Sequence, residues 1–213
     1  SAIAVRLTAE IQGLQMASRN AADGQSMLDT AEGALQETQT LLLRLRELAV
    51  QSSNGTLTTA DRGSLQAEAA QLEEEISRIS DTTSWGGLNL LNGNLNGGIT
   101  FQAGTKEGGA NLIAISIPDM AATAPTIGIE ASFTMGSFAN AQSYITAVDS
   151  AIAGVSDVRG KLGAVSNRLN STIANMDQVR VNLASSRGRI EDTDFATETG
   201  NLARAQILQQ AAT

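Results

Sequence analysis

Glu191, Asp192 and Asp194 stand almost side by side ahead of an amphipathic run, and no other group in this chain comes closer to a metal-binding constellation. Carboxylates gathered before a helix also act as N-terminal caps and as partners of the helix dipole, and that role outweighs cation binding here. Glu73-Glu74-Glu75 reads in the same way, as a solvated helix face. The chain contains no histidine and no cysteine. That removes His-based triads, His metal sites, thiolate chemistry and disulfides. Neither glycine-rich phosphate-binding pattern occurs, and Gly98 and Gly104 read as turn glycines. Asn54-Gly55-Thr56 and Asn170-Ser171-Thr172 match the N-glycosylation tripeptide, a pattern common by chance. The inventory points away from an enzyme: no catalytic residue, no metal and no cofactor is expected.

The elements that carry these residues are helical in character. Only 3% of the 213 residues are aromatic and only two are proline, so bulky anchors for a globular core are few. Ala, Leu, Ile, Gln and Glu are present in the proportions that long packed helices use. A thin core and an elongated shape are therefore expected. The formal net charge of -8 argues against nucleic acid and against anionic lipid. No apolar run approaches a membrane span.

Over residues 3–53, Leu7, Ile11, Leu14, Ala17, Ala21, Leu28, Ala31, Leu35, Leu42, Leu45 and Ala49 recur in steps of three and four, with Gln25 and Thr38 as polar interruptions. This heptad-like seam predicts one helix. Asn54-Gly55 is a stop signal, and Thr58 with Asp61 predicts a capping box for a second helix. Leu65, Ala69, Leu72, Ile76 and Ile79 are its seam, and the short connection predicts an antiparallel hairpin. Residues 85–136 change character. Glycine-rich turns separate candidate strands at 99–103, 111–117 and 126–133. A third long helix is predicted over 137–189, with Ile145, Val148, Ile152, Val155, Leu162, Val165, Leu169, Ile173, Met176 and Leu183 on its seam. A capped break at 191–194 and a last amphipathic piece at 195–210 follow. The fold class expected is mainly α: three long heptad-patterned helices with a small β excursion, in which Leu72, Ile76, Ile152, Leu162 and Leu169 are buried. By segment, the reading is an N-terminal helical hairpin (1–84), a β/turn segment of the same domain (85–136), a C-terminal long helix (137–190) and a terminal segment (191–213).

Several stretches carry a resemblance. Ser18-Arg19-Asn20-Ala21-Ala22-Asp23-Gly24, then Arg46-Glu47-Leu48-Ala49-Val50-Gln51 and Asn54-Gly55-Thr56, resemble signatures of the bacterial flagellins. Leu162-Gly163-Ala164-Val165 with Asn167-Arg168, Arg189-Ile190-Glu191-Asp192-Thr193-Asp194-Phe195-Ala196, and Gln206-Ile207-Leu208-Gln209-Gln210 resemble the other end of that family. The matches run in order along nearly the whole chain. Trp85-Gly86-Gly87 departs from the family's usual Phe-Asn-Gly turn. Members also extend beyond both ends with helices that line the filament's inner tube, and many carry variable outer domains. The resemblance therefore implies a core fragment, with 191–213 beginning the C-terminal filament-core segment. Without those terminal helices, the fragment is expected to be monomeric or weakly associating.

The resemblance implies a secreted structural subunit that packs with other flagellin subunits into an extracellular filament for motility, served by an export chaperone and a cap protein. A hook–filament junction protein is the alternative. It further implies recognition by the flagellin-sensing Toll-like receptor of hosts, with Arg44, Leu48, Gln51 and Glu68 at the matching positions. If the hairpin turns near Thr56, Arg44 and Glu68 each lie about 18 Å from the turn along their helices, which sets them level.

Overall fold

A computed structural model describes residues 2–129 and 133–211. The element order is helix α1 (Ala2–Ser52), helix α2 (Thr59–Thr82), strands β1 (Ser84–Trp85), β2 (Leu88–Asn89), β3 (Ile99–Gln102) and β4 (Leu112–Ile115), and helix α3 (Phe138–Ala211). The mainly helical class read from the seams is the observed one. Strand β1 pairs antiparallel with β2, and β3 pairs with β4. The chain forms two compact units.

The larger unit comprises residues 24–100 and 114–168. Leu28, Leu35, Leu42, Leu45 and Ala49 of α1, Ala69 and Ile76 of α2, and Tyr144, Val148, Ala151, Val155 and Leu162 of α3 form its buried core. Thr38 is buried on the α1 seam without cost, because its hydroxyl donates to the Ala34 carbonyl one turn back. Gln25, the other interruption, exchanges hydrogen bonds with Ser166 of α3. The capping box at Thr58 and Asp61 forms in both directions, and the bound hydroxyl and amide hold the Asp61 carboxyl below its ordinary range. Non-helical chain covers the bundle through buried Leu90, Leu91, Leu95, Ile115, Ile117 and Met135. Buried hydroxyls pin that cover: Ser80 donates to the Leu91 carbonyl at 2.6 Å and Ser52 to the Met135 carbonyl at 2.9 Å. At Gly154 the Thr126 carbonyl comes so near the helix that an added Cβ would sit 2.4 Å from its oxygen. Only glycine permits that approach.

The smaller unit comprises residues 1–23, 101–113 and 169–213. Ala4, Leu14, Ala17 and Ala21 of α1, Leu169 and Met176 of α3, and Ala103 and Ile113 are its buried apolar residues. Arg187 of α3 donates to the Thr8 hydroxyl at 3.3 Å, and the Asn20 amide donates to the Gln102 carbonyl at 3.1 Å.

Four expectations are corrected. Helix α3 runs unbroken through 191–194. Thr193 and Thr197 return their hydroxyls to carbonyls one turn back, so potential capping side chains are absorbed by the helix itself. Of the five core residues predicted, Ile76, Leu162 and Leu169 are buried but Leu72 and Ile152 are half-buried. On α3 the buried seam passes through Tyr144, Val148 and Ala151. Ile145 and Ile152 satisfy the same three- and four-residue steps, and only the partner helices choose between the two tracks. Residues 126–129 and 133 form no strand; Ile127 and Gly128 donate into a turn on the Ala124 carbonyl. The remainder of that expected strand, 130–132, lies outside the described residues. Trp85 and its glycines, which depart from the family's usual turn residues, form a hairpin of their own, with Gly86 and Gly87 both at positive φ, the two-residue turn that suits strand twist. Lastly, Glu73 is not part of a solvated face, as described below.

Candidate functional site

The seam of α1 fixes what its opposite face presents. With Leu42, Leu45 and Ala49 turned inward, helical periodicity turns Leu43, Glu47 and Val50 outward. Leu43 and Val50 are each 49% exposed, an apolar pair that the described residues leave half in water. An ion-paired rail flanks it on either side. On one side Arg44 reaches α2, donating through Nε and Nη2 to Glu68 Oε1 at 3.0 and 2.7 Å, while its Nη1 donates to Glu47 Oε2 at 2.9 Å. On the other side Arg46 donates to Asp149 of α3 at 2.6 Å. The hydrogen bonding of Arg44 to Glu68, more than any other influence, raises the Arg44 guanidinium above its ordinary range, and that of Arg46 to Asp149 does the same for Arg46.

Arg44 and Glu68, set level by counting residues from the hairpin turn, do meet across the two helices. Gln51 is exposed on the same helix. Leu48 does not belong with them: it is 1% exposed and packs in the core, so it supports the surface from beneath instead of contributing to it. Leu48 lies three residues from Leu45, on the flank of the seam that α2 covers. Glu47, absent from the expected set, takes its place as a member of the Arg44 cluster. Its one sequence signal was the i,i+3 spacing from Arg44.

Two polar groups inside the larger unit were also unexpected. Arg62, with 7% exposure, donates to the carbonyls of Ser52, Asn54 and Leu57, and thus closes the C-terminal end of α1. The fully buried Tyr144 donates its hydroxyl to the Glu73 carboxylate. Burial pushes the Glu73 carboxyl up from its ordinary range, with the tyrosine hydrogen bond opposing, and burial likewise pushes the Tyr144 hydroxyl up. Among the described residues no three His, Cys, Asp or Glu side chains converge as a metal site, and no helix is long and apolar enough to cross a membrane. The arrangement offers recognition through an apolar strip flanked by ion-paired charges.

Residues 1–96 match the family model described as the bacterial flagellin N-terminal helical region, and residues 145–213 match that of the C-terminal helical region. A flagellin of Halalkalibacterium halodurans is 41% identical over 210 residues, which span 99% of this chain and 76% of that protein. The crystal structure of Bacillus cereus flagellin superposes with a TM-score of 0.63 at 29% identity, covering 74% of this chain and 88% of that one. A Vibrio parahaemolyticus structure described as a flagellar hook-associated protein gives a TM-score of 0.71 at 15% identity, over 87% of this chain and 95% of that one, a likeness of fold alone.

Proposed function

The chain belongs to the bacterial flagellin family and is a structural subunit of the flagellar filament, and from that premise we propose how its surfaces serve assembly and recognition. The observation that carries the reading is apolar surface on helices that no described residue covers. Phe195, Leu202, Ile207 and Leu208 of α3 are 72%, 58%, 65% and 65% exposed. Large side chains left wet along one helix mark a surface awaiting a partner. Heterologous contacts that do not close on themselves build an open helical polymer. The work is done by packing, outside the cell, after passage through an export apparatus in the company of a chaperone and beneath a cap protein. The test is complementation of a cell that lacks its own filament subunit. Electron microscopy of cells carrying a full-length flagellin that contains this sequence unaltered is expected to show filaments, and Phe195→Ala with Leu202→Ala in the same protein is expected to leave them short or absent. Filaments of normal length from the double variant would refute the assembly role of this face.

The outward face of α1 supports a second partner, the flagellin-sensing Toll-like receptor of hosts. Arg44 and Glu68, with Gln51 and Glu47 beside them, form the charged part of that surface, and Leu43 and Val50 the apolar part. An arginine held by two carboxylates loses little entropy on docking, and arginines at a patch centre are frequent hot spots. In a binding assay with the receptor ectodomain, Arg44→Ala is expected to lose roughly tenfold or more in affinity. Glu68→Ala is expected to lose less, because Glu47 still holds the guanidinium. Equal affinity across wild type and both variants would remove the patch.

A further inference from the structure

We propose that Asn96-Gly97 is a site of spontaneous deamidation, the one of three Asn-Gly pairs that the fold leaves free to react. The chain carries Asn54-Gly55, Asn92-Gly93 and Asn96-Gly97. In each, the glycine's small side would let its backbone nitrogen reach the preceding amide carbon, so local sequence alone ranks them equal. The structure does not.

At Asn54 the side-chain oxygen accepts from the Thr56 amide at 3.1 Å and from the Thr56 hydroxyl at 2.9 Å. Its backbone carbonyl accepts from Arg62 at 3.0 Å and from the Leu57 amide at 3.2 Å. Neither the side chain nor the main chain can rotate toward ring closure without breaking these. At Asn92 the side-chain oxygen accepts from the Asn94 amide at 3.3 Å. Gly93 packs so closely that an added Cβ would lie 3.3 Å from Asp119. Asn96 is exposed, and its side-chain amide makes no hydrogen bond to any described residue. Gly97 has open space around it. Among the described residues the restraints on Asn96 are on the main chain: the Gly98 amide donates to the Leu95 carbonyl at 3.0 Å, the Ser116 hydroxyl donates to the Asn96 carbonyl at 3.0 Å, and the Asn96 amide donates to the Gly93 carbonyl at 3.0 Å, none of which holds the side chain. The first of these spans a tight turn with two glycines, where opening is cheap.

The reaction takes water as its sole co-reactant. The Gly97 backbone nitrogen gives up its proton and bonds to Asn96 Cγ. The bond from that carbon to the side-chain nitrogen breaks, and ammonia departs with the proton. Water then adds to one of the two carbonyls of the resulting succinimide and splits its C–N bond, yielding a carboxylate and a proton. Opening at Cγ gives an aspartyl residue, and opening at the former main-chain carbonyl gives an isoaspartyl residue. Either product places a new negative charge in the cleft that Asn96 lines with Ser116, Asp157 and Lys161. There it competes with Asp157, now 2.7 Å from the Lys161 ammonium, for that one cation. A subunit therefore carries a chemical mark of its age at this turn.

The test is incubation of the intact folded protein at mildly alkaline pH, with peptide mass mapping of the three pairs over time and a carboxyl methyltransferase to report isoaspartate. Asn96 is expected to convert first, at least about fivefold faster than Asn54, the factor that one net hydrogen bond imposes on a rate. In urea the three rates are expected to converge. Gly97→Ala, whose side chain meets nothing, is expected to slow Asn96 in the folded protein, and Thr56→Val to quicken Asn54. Conversion at Asn54 or Asn92 as fast as at Asn96, no conversion at Asn96, or a ranking that persists unchanged in urea would each overturn the proposal.

Discussion

The three-helix unit and the two-helix unit are built from the same two long helices, yet they bury different things. In the first, large side chains such as Leu35, Leu42, Leu45, Ile76 and Tyr144 are fully buried, and charged groups such as Arg62 are enclosed with partners. In the second, the α1 seam is mostly alanine, and Ile3, Val5, Met16, Val179, Val181, Phe195 and Leu202 remain in water. The reason is geometric. Two helices side by side each leave most of their circumference open, whereas a third closes a core that solvent cannot reach. The difference teaches where enclosure ends in this chain: the three-helix unit buries its large apolar side chains, and the two-helix unit leaves several of its own in water.

The sharpest way to break this comparison is a matched pair of truncations. Leu42→Ala, at a fully buried position of the three-helix unit, is expected to cost about 3–4 kcal/mol through lost transfer energy and an unfilled cavity. Leu14→Ala in the two-helix unit is expected to cost less than half of that, because its surroundings can collapse or hydrate. Urea unfolding read through the single tryptophan, Trp85, which belongs to the three-helix unit, measures the first. Amide exchange over residues 2–23 measures the second. Equal costs would mean the two units share one cooperative core.

Arg62→Ala comes next, with an expected loss of about 2–3 kcal/mol in the same urea titration, since the buried Ser52 carbonyl at the end of α1 loses its side-chain donor and the part-buried carbonyls of Asn54 and Leu57 in the loop beyond lose one each. Arg62→Lys is expected to recover only part, because an ammonium cannot present the planar fork that spans three acceptors. Full recovery by lysine would show that charge alone matters there.

The smallest expected effect is a slope. Burial raises the Glu73 carboxyl in the folded state, so the folded protein favours its protonated form. Its contribution is therefore fully present below the carboxyl's unfolded pKa and is lost as pH rises through the folded one. Glu73→Gln keeps an acceptor for Tyr144 and removes the charge. It is expected to stabilise the three-helix unit at neutral pH and to lose that advantage at acid pH. A variant that is destabilised equally at both would show that the Tyr144 hydrogen bond, and not the partly desolvated charge, decides the balance.

Sequence alone determined a good deal of this molecule, because helix periodicity, capping and turn chemistry are local. The α1 seam from Leu14 to Ala49, the capping box at Thr58 and the level placement of Arg44 with Glu68 all follow from spacing along one or two helices. Tertiary structure alone decided which of two equally spaced tracks faces inward. That choice buried Tyr144 and Ala151 in place of Ile145 and Ile152, drew Leu48 out of the expected surface, and turned Glu73 from a solvated acid into a half-buried acceptor. It also recruited Arg62 to a helix end ten residues away in sequence. A helix offers several stripes at three- and four-residue steps, and its own residues cannot rank them; the shape and polarity of whatever packs against the helix do so.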